Sequence, residues 1–207
     1  MAYYGELNEI LRLVISERFL RNQDLCKLLH YYPENCIDAH NSYNYNPLLQ
    51  PDIENTNSLY MESIFPMPKI PDTVKDKKVL LCAYFNGGYE PDKNLAFRNV
   101  VLNIDIICHL DVWNISVGKT EKDIINGFRP YSIMNEVDKL LNNQLTDLPI
   151  ENRPFLRGFQ TRVYSEYFYG IQMLYNLKVN SNISCPTLPI NTSPNSNKIY
   201  NPMAKND

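Results

Sequence analysis

No run of apolar residues in this chain approaches the length needed to span a membrane. The opening residues Met1 to Glu6 lack the basic-then-apolar order of a secretion signal. The expectation is a chain made in a cytoplasm, with reduced thiols. Cys26, Cys36, Cys82, Cys108 and Cys185 fit that view, being odd in number and scattered. The sequons at Asn114, Asn182 and Asn191 then carry no meaning in a chain where asparagine supplies about one residue in eight. Positive charge is not in excess either. Lys and Arg total 20 against 23 Asp and Glu, a net charge of −3, so any basic groove for DNA must be local. Catalytic signatures are missing as well: there is no G-x-S-x-G, no phosphate-binding glycine loop and no H-E-x-x-H. No internal repeat is visible.

What the sequence does contain is alternation. From Val100 to Val112 every even position is apolar, and Asn99, Asn103, Asp105, His109 and Asp111 hold most of the odd ones. This period of two predicts one strand of about 45 Å with a buried face and a second face turned to water or a partner. A short linker leads to Pro130, where Ile133, Val137, Leu140 and Leu141 take helical spacing. A second long strand is predicted from Tyr167, Tyr169, Ile171, Met173, Tyr175, Leu177 and Val179, after a looser strand over residues 155–165 with Gly158 as a bulge.

The N-terminal 1–32 reads as helical, with Leu7, Ile10, Leu11, Val14 and Ile15 in one stripe and Asp24 as cap of a second short helix. Residues 33–75 form an insert rich in Pro, Asn and Tyr, expected to stand apart as an arm. Residues 76–179 form the core, beginning with a short strand over 78–85 and the turn Asn86-Gly87-Gly88. Residues 180–207 have tail composition. The predicted class is α+β: a mostly antiparallel sheet with long amphipathic strands, packed by an N-terminal helix and a crossover helix, with an extended insert and a C-terminal arm. Asn103, Asp105, Gln172 and Asn176 lie on the sheet face expected to be half solvated unless a neighbour covers it.

Three constellations carry chemical interest. Cys26, His30, Cys36 and His40 offer four nitrogen and sulfur ligands for zinc, but without the tight C-x2-C turn that usually opens such a site. Asp105, His109 and Asp111 share a strand face, the basis of an alternative reading as a small metal-dependent nuclease. Strand spacing separates Asp105 from His109 by roughly 13 Å, which favours a solvated or inter-subunit face. Small basic clusters (Lys75, Lys77 and Lys78 with Arg98, and separately Arg153, Arg157 and Arg162) sit near aromatic residues and suit DNA contact or surface salt bridges.

The pattern of elements resembles the tail-terminator-like and head-to-tail connector proteins of tailed bacteriophages, in the Asn- and Tyr-heavy style of crAss-like phages. The residues that carry it are His109, Asp111 and Trp113 at the end of the long strand. They are followed by Arg129, Pro130, Ile133, Glu136 and Val137 in the helix, and Gly170 before Ile171. The resemblance covers about residues 5–32 and 76–179; the insert and the tail depart from it. It implies a non-enzymatic subunit of a neck ring of about six or twelve copies, joining portal to tail, in contact with other neck and tail proteins and lining the channel for packaged DNA. No cofactor, metal or membrane is implied. Ile107, His109, Asp111, Trp113, Ile183, Leu188, Ile190, Ile199 and Tyr200 are the expected subunit-interface residues; Lys75, Lys77 and Arg98 are the channel candidates. A third reading is a host-interaction protein that uses its tail to bind a partner.

Overall fold

A computed structural model describes residues 5–32, 36, 59–69, 78–86, 90–91, 97–117, 125–142, 150 and 153–180. The chain begins with helix α1 (Gly5–Leu13), whose last turn widens into a π-helical stretch over Val14–Phe19. There the Leu20 N–H reaches the carbonyl of Ile15, five residues back, at 3.0 Å. Helix α2 (Gln23–His30) follows. Its cap is Asn22 rather than the expected Asp24: the Asn22 side chain accepts the Leu25 N–H at 2.7 Å. Asp24 falls inside the first turn, where its negative charge suits the helix dipole.

The sheet has six strands in the order β1-β2-β4-β8-β7, with β3 pairing β4. They are β1 (Ile64–Phe65), β2 (Val79–Phe85), β3 (Glu90–Pro91), β4 (Phe97–His109), β7 (Phe155–Val163) and β8 (Phe168–Asn180). Only β1 and β2 run parallel; the other pairs are antiparallel. The class is α+β, as the order of elements predicts. β4 and β8 pair along their whole length, from Phe97 opposite Asn180 to His109 opposite Phe168. Their alternating apolar faces, Leu102, Ile104 and Ile106 against Tyr175, Met173 and Ile171, are buried together beneath the helices. Helix α3 (Arg129–Asn142) lies over β4 and β8 and buries Ile133, Val137 and Leu141.

The structure corrects four further expectations. The long strand stops at His109 instead of Val112: the Leu110 N–H still reaches the Tyr167 carbonyl at 3.0 Å, and the chain turns away from β8 there. Leu110–Val112 instead form a 3-10 turn, capped by the His109 Nδ1 that accepts the Asp111 N–H at 3.1 Å. The stretch taken for a short linker contains a small separate hairpin, β5 (Asn114–Val117) with β6 (Ile125–Phe128). Part of the insert belongs to the core: Leu59 and Ile64 are fully buried, and residues 59–69 add β1 to the sheet edge. A tight turn makes this possible, with Met61 at φ 62° and the Leu59 carbonyl accepting from Glu62, Ser63 and Ile64.

The fourth correction concerns the second sheet face. Phe65, Leu80, Cys82, Ile107 and Phe168 form a cluster of their own there, with Tyr84 and Tyr164 against it. The Cys82 thiol donates to the Lys69 carbonyl at 3.8 Å, so the chain's own segment crosses this face. Asn103, Asp105, His109 and Gln172 are buried on it, and Asn176 alone of the expected polar set is exposed. Ile107 is thereby covered from within and is removed from the surface open to a neighbour.

Candidate interaction surface

Among the described residues strand β7 pairs on one side only, with β8, and so ends the described sheet opposite β1. A register shift between Leu156 and Gly158 puts a bulge at its start, as Gly158 suggests from sequence. Phe159 and Val163 stand opposite Met173 and Tyr169, on the side of the sheet that the helices cover elsewhere. That cover stops short of them. Phe155 is 68% exposed, Phe159 52% and Val163 67%, on a strand that would ordinarily place such side chains in a core. Arg153, Arg157 and Arg162 are exposed along the same stretch. The ion pairs among the described residues, Arg12–Glu9, Arg21–Glu17 and Lys139–Glu136, leave these arginines out.

An edge strand with unpaired main-chain groups is a template for another chain, and soluble proteins blunt such edges with charge and bulges. β7 has both devices but also presents the large apolar side chains Phe155, Phe159 and Val163. The residues were visible in sequence as a loose strand. Their exposure was not, since it depends on how far α3 reaches across the sheet.

The other predicted positions fall as follows. Trp113 is half-buried against the main core, and its carbonyl accepts the Arg129 N–H at 2.7 Å. His109 is buried, stacked parallel to Tyr167 at 6.1 Å and edge-on to Phe168 at 5.1 Å. Asp111 is exposed at the 3-10 turn. Arg98 is half-buried on β4, and its charge partly offsets the burial that raises the Glu6 carboxyl above its usual range. Lys75, Lys77, Ile183, Leu188, Ile190, Ile199 and Tyr200 lie outside the described residues.

The nuclease constellation is not assembled as a site. The Tyr84 hydroxyl donates to Asp105 Oδ2 at 2.8 Å, Gln172 Nε2 donates to the Tyr84 oxygen at 3.4 Å, and Gln160 Nε2 donates to Gln172 Oε1 at 2.8 Å. His109 spends its Nδ1 on the turn. Burial, with the Asp105 carboxylate beside it, pushes the Tyr84 hydroxyl up to about 12, so it remains a protonated donor at neutral pH, and burial raises the Tyr164 hydroxyl as well. This network ties β2, β4, β7 and β8 together.

The zinc set is likewise dispersed. Cys26 is buried, its thiol donating to the carbonyls of Phe19 at 3.6 Å and Leu20 at 3.5 Å, and burial raises it to about 12. Cys36 accepts from Arg129 Nη1 at 3.5 Å, His30 is exposed, and His40 lies outside the described residues. Among the described residues no group of His, Cys, Asp and Glu side chains is placed to hold a metal ion. No helix among them is long and apolar enough to cross a membrane.

Fold and surface thus define, among the described residues, an α+β sheet protein with an exposed, arginine-flanked strand at one edge. The family model of YomW matches residues 22–177, and the chain belongs to that family. The family is phage-associated, and so on that ground is this protein. The match runs from the cap of α2 to Leu177 near the end of β8 and takes in the residues between Cys36 and Leu59. None of the curated proteins matches the chain.

Proposed function

We propose that the protein is a structural subunit of an oligomeric ring in the head-to-tail neck of a tailed phage virion. In this reading it joins portal to tail, meets other neck and tail proteins and borders the channel for packaged DNA. The observation that carries the proposal is the β7 edge, with Phe155, Phe159 and Val163 exposed beside Arg153, Arg157 and Arg162. A heterologous contact, in which this edge meets a different surface of the next copy, closes into a ring and leaves no edge open. Membership of a phage-associated family supports the setting. The use of Asp105 and His109 in hydrogen bonds and ring stacking within the sheet supports a non-enzymatic role over hydrolysis.

Native mass spectrometry and negative-stain microscopy of the protein mixed with its portal test the reading. Closed rings of about six or twelve copies are expected. Monomers at high concentration with portal present would overturn it.

A further inference from the structure

We propose that Asp105 Oδ1, the side-chain amide of Asn103 and the hydroxyl of Tyr164 bind one internal water on the second face of the sheet. This site is independent of how copies of the chain meet.

Asn103 is 1% exposed and Asp105 4%, too deep for bulk solvent to hydrate them. Yet among the described residues Asp105 Oδ1, Asn103 Nδ2 and the Tyr164 oxygen are buried atoms without a hydrogen-bond partner. A buried polar atom left unpaired is costly, and a charged one most of all. The neighbouring groups are already committed. Tyr84 gives its proton to Asp105 Oδ2, its oxygen accepts from Gln172, and Gln172 Oε1 accepts from Gln160. The network is closed on the Oδ2 side of the carboxylate and open on the Oδ1 side.

Asn103 and Asp105 stand two residues apart on one face of β4, opposite Tyr84 and Cys82. Their Cα atoms are therefore about 6.6 Å apart, long for a direct bond between two short side chains and suited to one bridging molecule. Tyr164 packs against the apolar cluster of the same face. Burial raises its hydroxyl, and the Asp105 carboxylate adds to that effect, so the two groups are neighbours that close no bond with each other.

Polarity selects the ligand. The Asn103 N–H and the Tyr164 O–H donate, whereas Asp105 Oδ1 accepts. A water takes two bonds into its oxygen and gives one proton to the carboxylate. That makes about three bonds, the usual number for an internal water. A metal cation cannot accept from an N–H, and an anion is repelled by the carboxylate.

A high-resolution crystal structure of the full chain tests this directly. One ordered oxygen is expected at about 2.7–3.2 Å from all three atoms. A direct bond from Asp105 Oδ1 to Asn103 or Tyr164, with nothing between, would overturn the site. An anomalous peak there after a thallium(I) soak would make the ligand a cation and overturn the assignment. In solution, water-selective NOE spectra of the labelled chain should show a long-lived water at the Asn103 side-chain amide. Tyr164→Phe keeps the ring and removes one donor, so exchange of that water with bulk should quicken about fivefold to tenfold. Unchanged exchange in a Tyr164→Phe chain that melts like the parent would overturn the three-point site. An Asn103 amide with no water cross-peak in the parent chain would overturn it altogether.

Discussion

Arg129 Nη1 donates to the carbonyl oxygen of Leu28 at 2.7 Å, joining the start of α3 to the end of α2 across 101 residues of sequence. The same guanidinium donates to Tyr31 at 2.8 Å, Tyr32 at 3.0 Å and Val112 at 2.7 Å, and it is completely buried. The carbonyls at a helix C-terminus have no partner within the helix and carry partial negative charge. One planar cation therefore satisfies several of them at once and fixes α2, α3 and the 3-10 turn in a single arrangement.

Replacing Arg129 with Met should cost about 3–5 kcal/mol, because several buried carbonyls lose their donors together. Lys in its place should recover only part of the loss, since an ammonium cannot reproduce the fork of the guanidinium. Urea denaturation measures both. A loss below about 1 kcal/mol for the Met variant would mean that water replaces the guanidinium without penalty.

Two glycines make a contrasting pair. A Cβ added at Gly170 would collide with the carbonyl oxygen of Ile106, and would lie 2.8 Å from that carbonyl's carbon and 3.1 Å from the Ile107 Cα. These are backbone atoms of the central strand, which cannot give way without breaking the β4–β8 ladder. At Gly158, in the bulge of β7, nothing lies within 4 Å. Gly170→Ala should therefore be strongly destabilising or insoluble, while Gly158→Ala should stay within about 0.5 kcal/mol of the parent. Comparable melts for the two would contradict the close approach of β8 to β4.

The long strands were legible in sequence because every second residue of β4 and β8 repeats the same choice over a dozen positions. The α3 stripe, Ile133, Val137 and Leu141, was equally plain. Leu59, Ile64 and Phe65 were not, since a two-residue strand has no period and Pro66 and Pro68 follow at once. The role of Arg129 was hidden for a different reason: its acceptors are main-chain carbonyls, which no side-chain pattern reports. Period two also cannot say which face is wet. Asp105 is buried with the Tyr84 hydroxyl and Gln172 gathered around it from β2 and β8, a tertiary fact.

Stability should fall with rising alkalinity. Burial raises the thiols of Cys26, Cys82 and Cys108 and the hydroxyl of Tyr84 to about 12, and it also raises the hydroxyls of Tyr164 and Tyr175. Each group holds its proton more tightly folded than unfolded, so its contribution is intact below the ordinary thiol and phenol range and is lost as pH climbs through the folded values. Denaturant midpoints should be flat near neutrality and drop steeply between about pH 9 and 12. Tyrosinate absorbance should rise with unfolding rather than before it for the buried tyrosines. Early titration of all tyrosines in the folded protein would contradict their burial.

Phe159 and Val163 separate assembly from folding. Both are more than half exposed, so changing either to Asp removes little buried area and should alter the melting behaviour of the isolated chain by no more than about 0.5 kcal/mol. If β7 is the surface on which copies meet, the same changes place an unpaired carboxylate in an apolar contact, where desolvating it opposes association. Val163→Asp should therefore shift the assembled protein toward monomer at concentrations where the parent is associated. Tyr131→Asp, at an exposed position on α3, serves as a control for added surface charge and should leave assembly unchanged. Equal behaviour of Val163→Asp and the parent in native mass spectrometry would remove β7 from the interface. Equal losses from Val163→Asp and Tyr131→Asp would instead trace the effect to net charge and leave the edge strand without a special role.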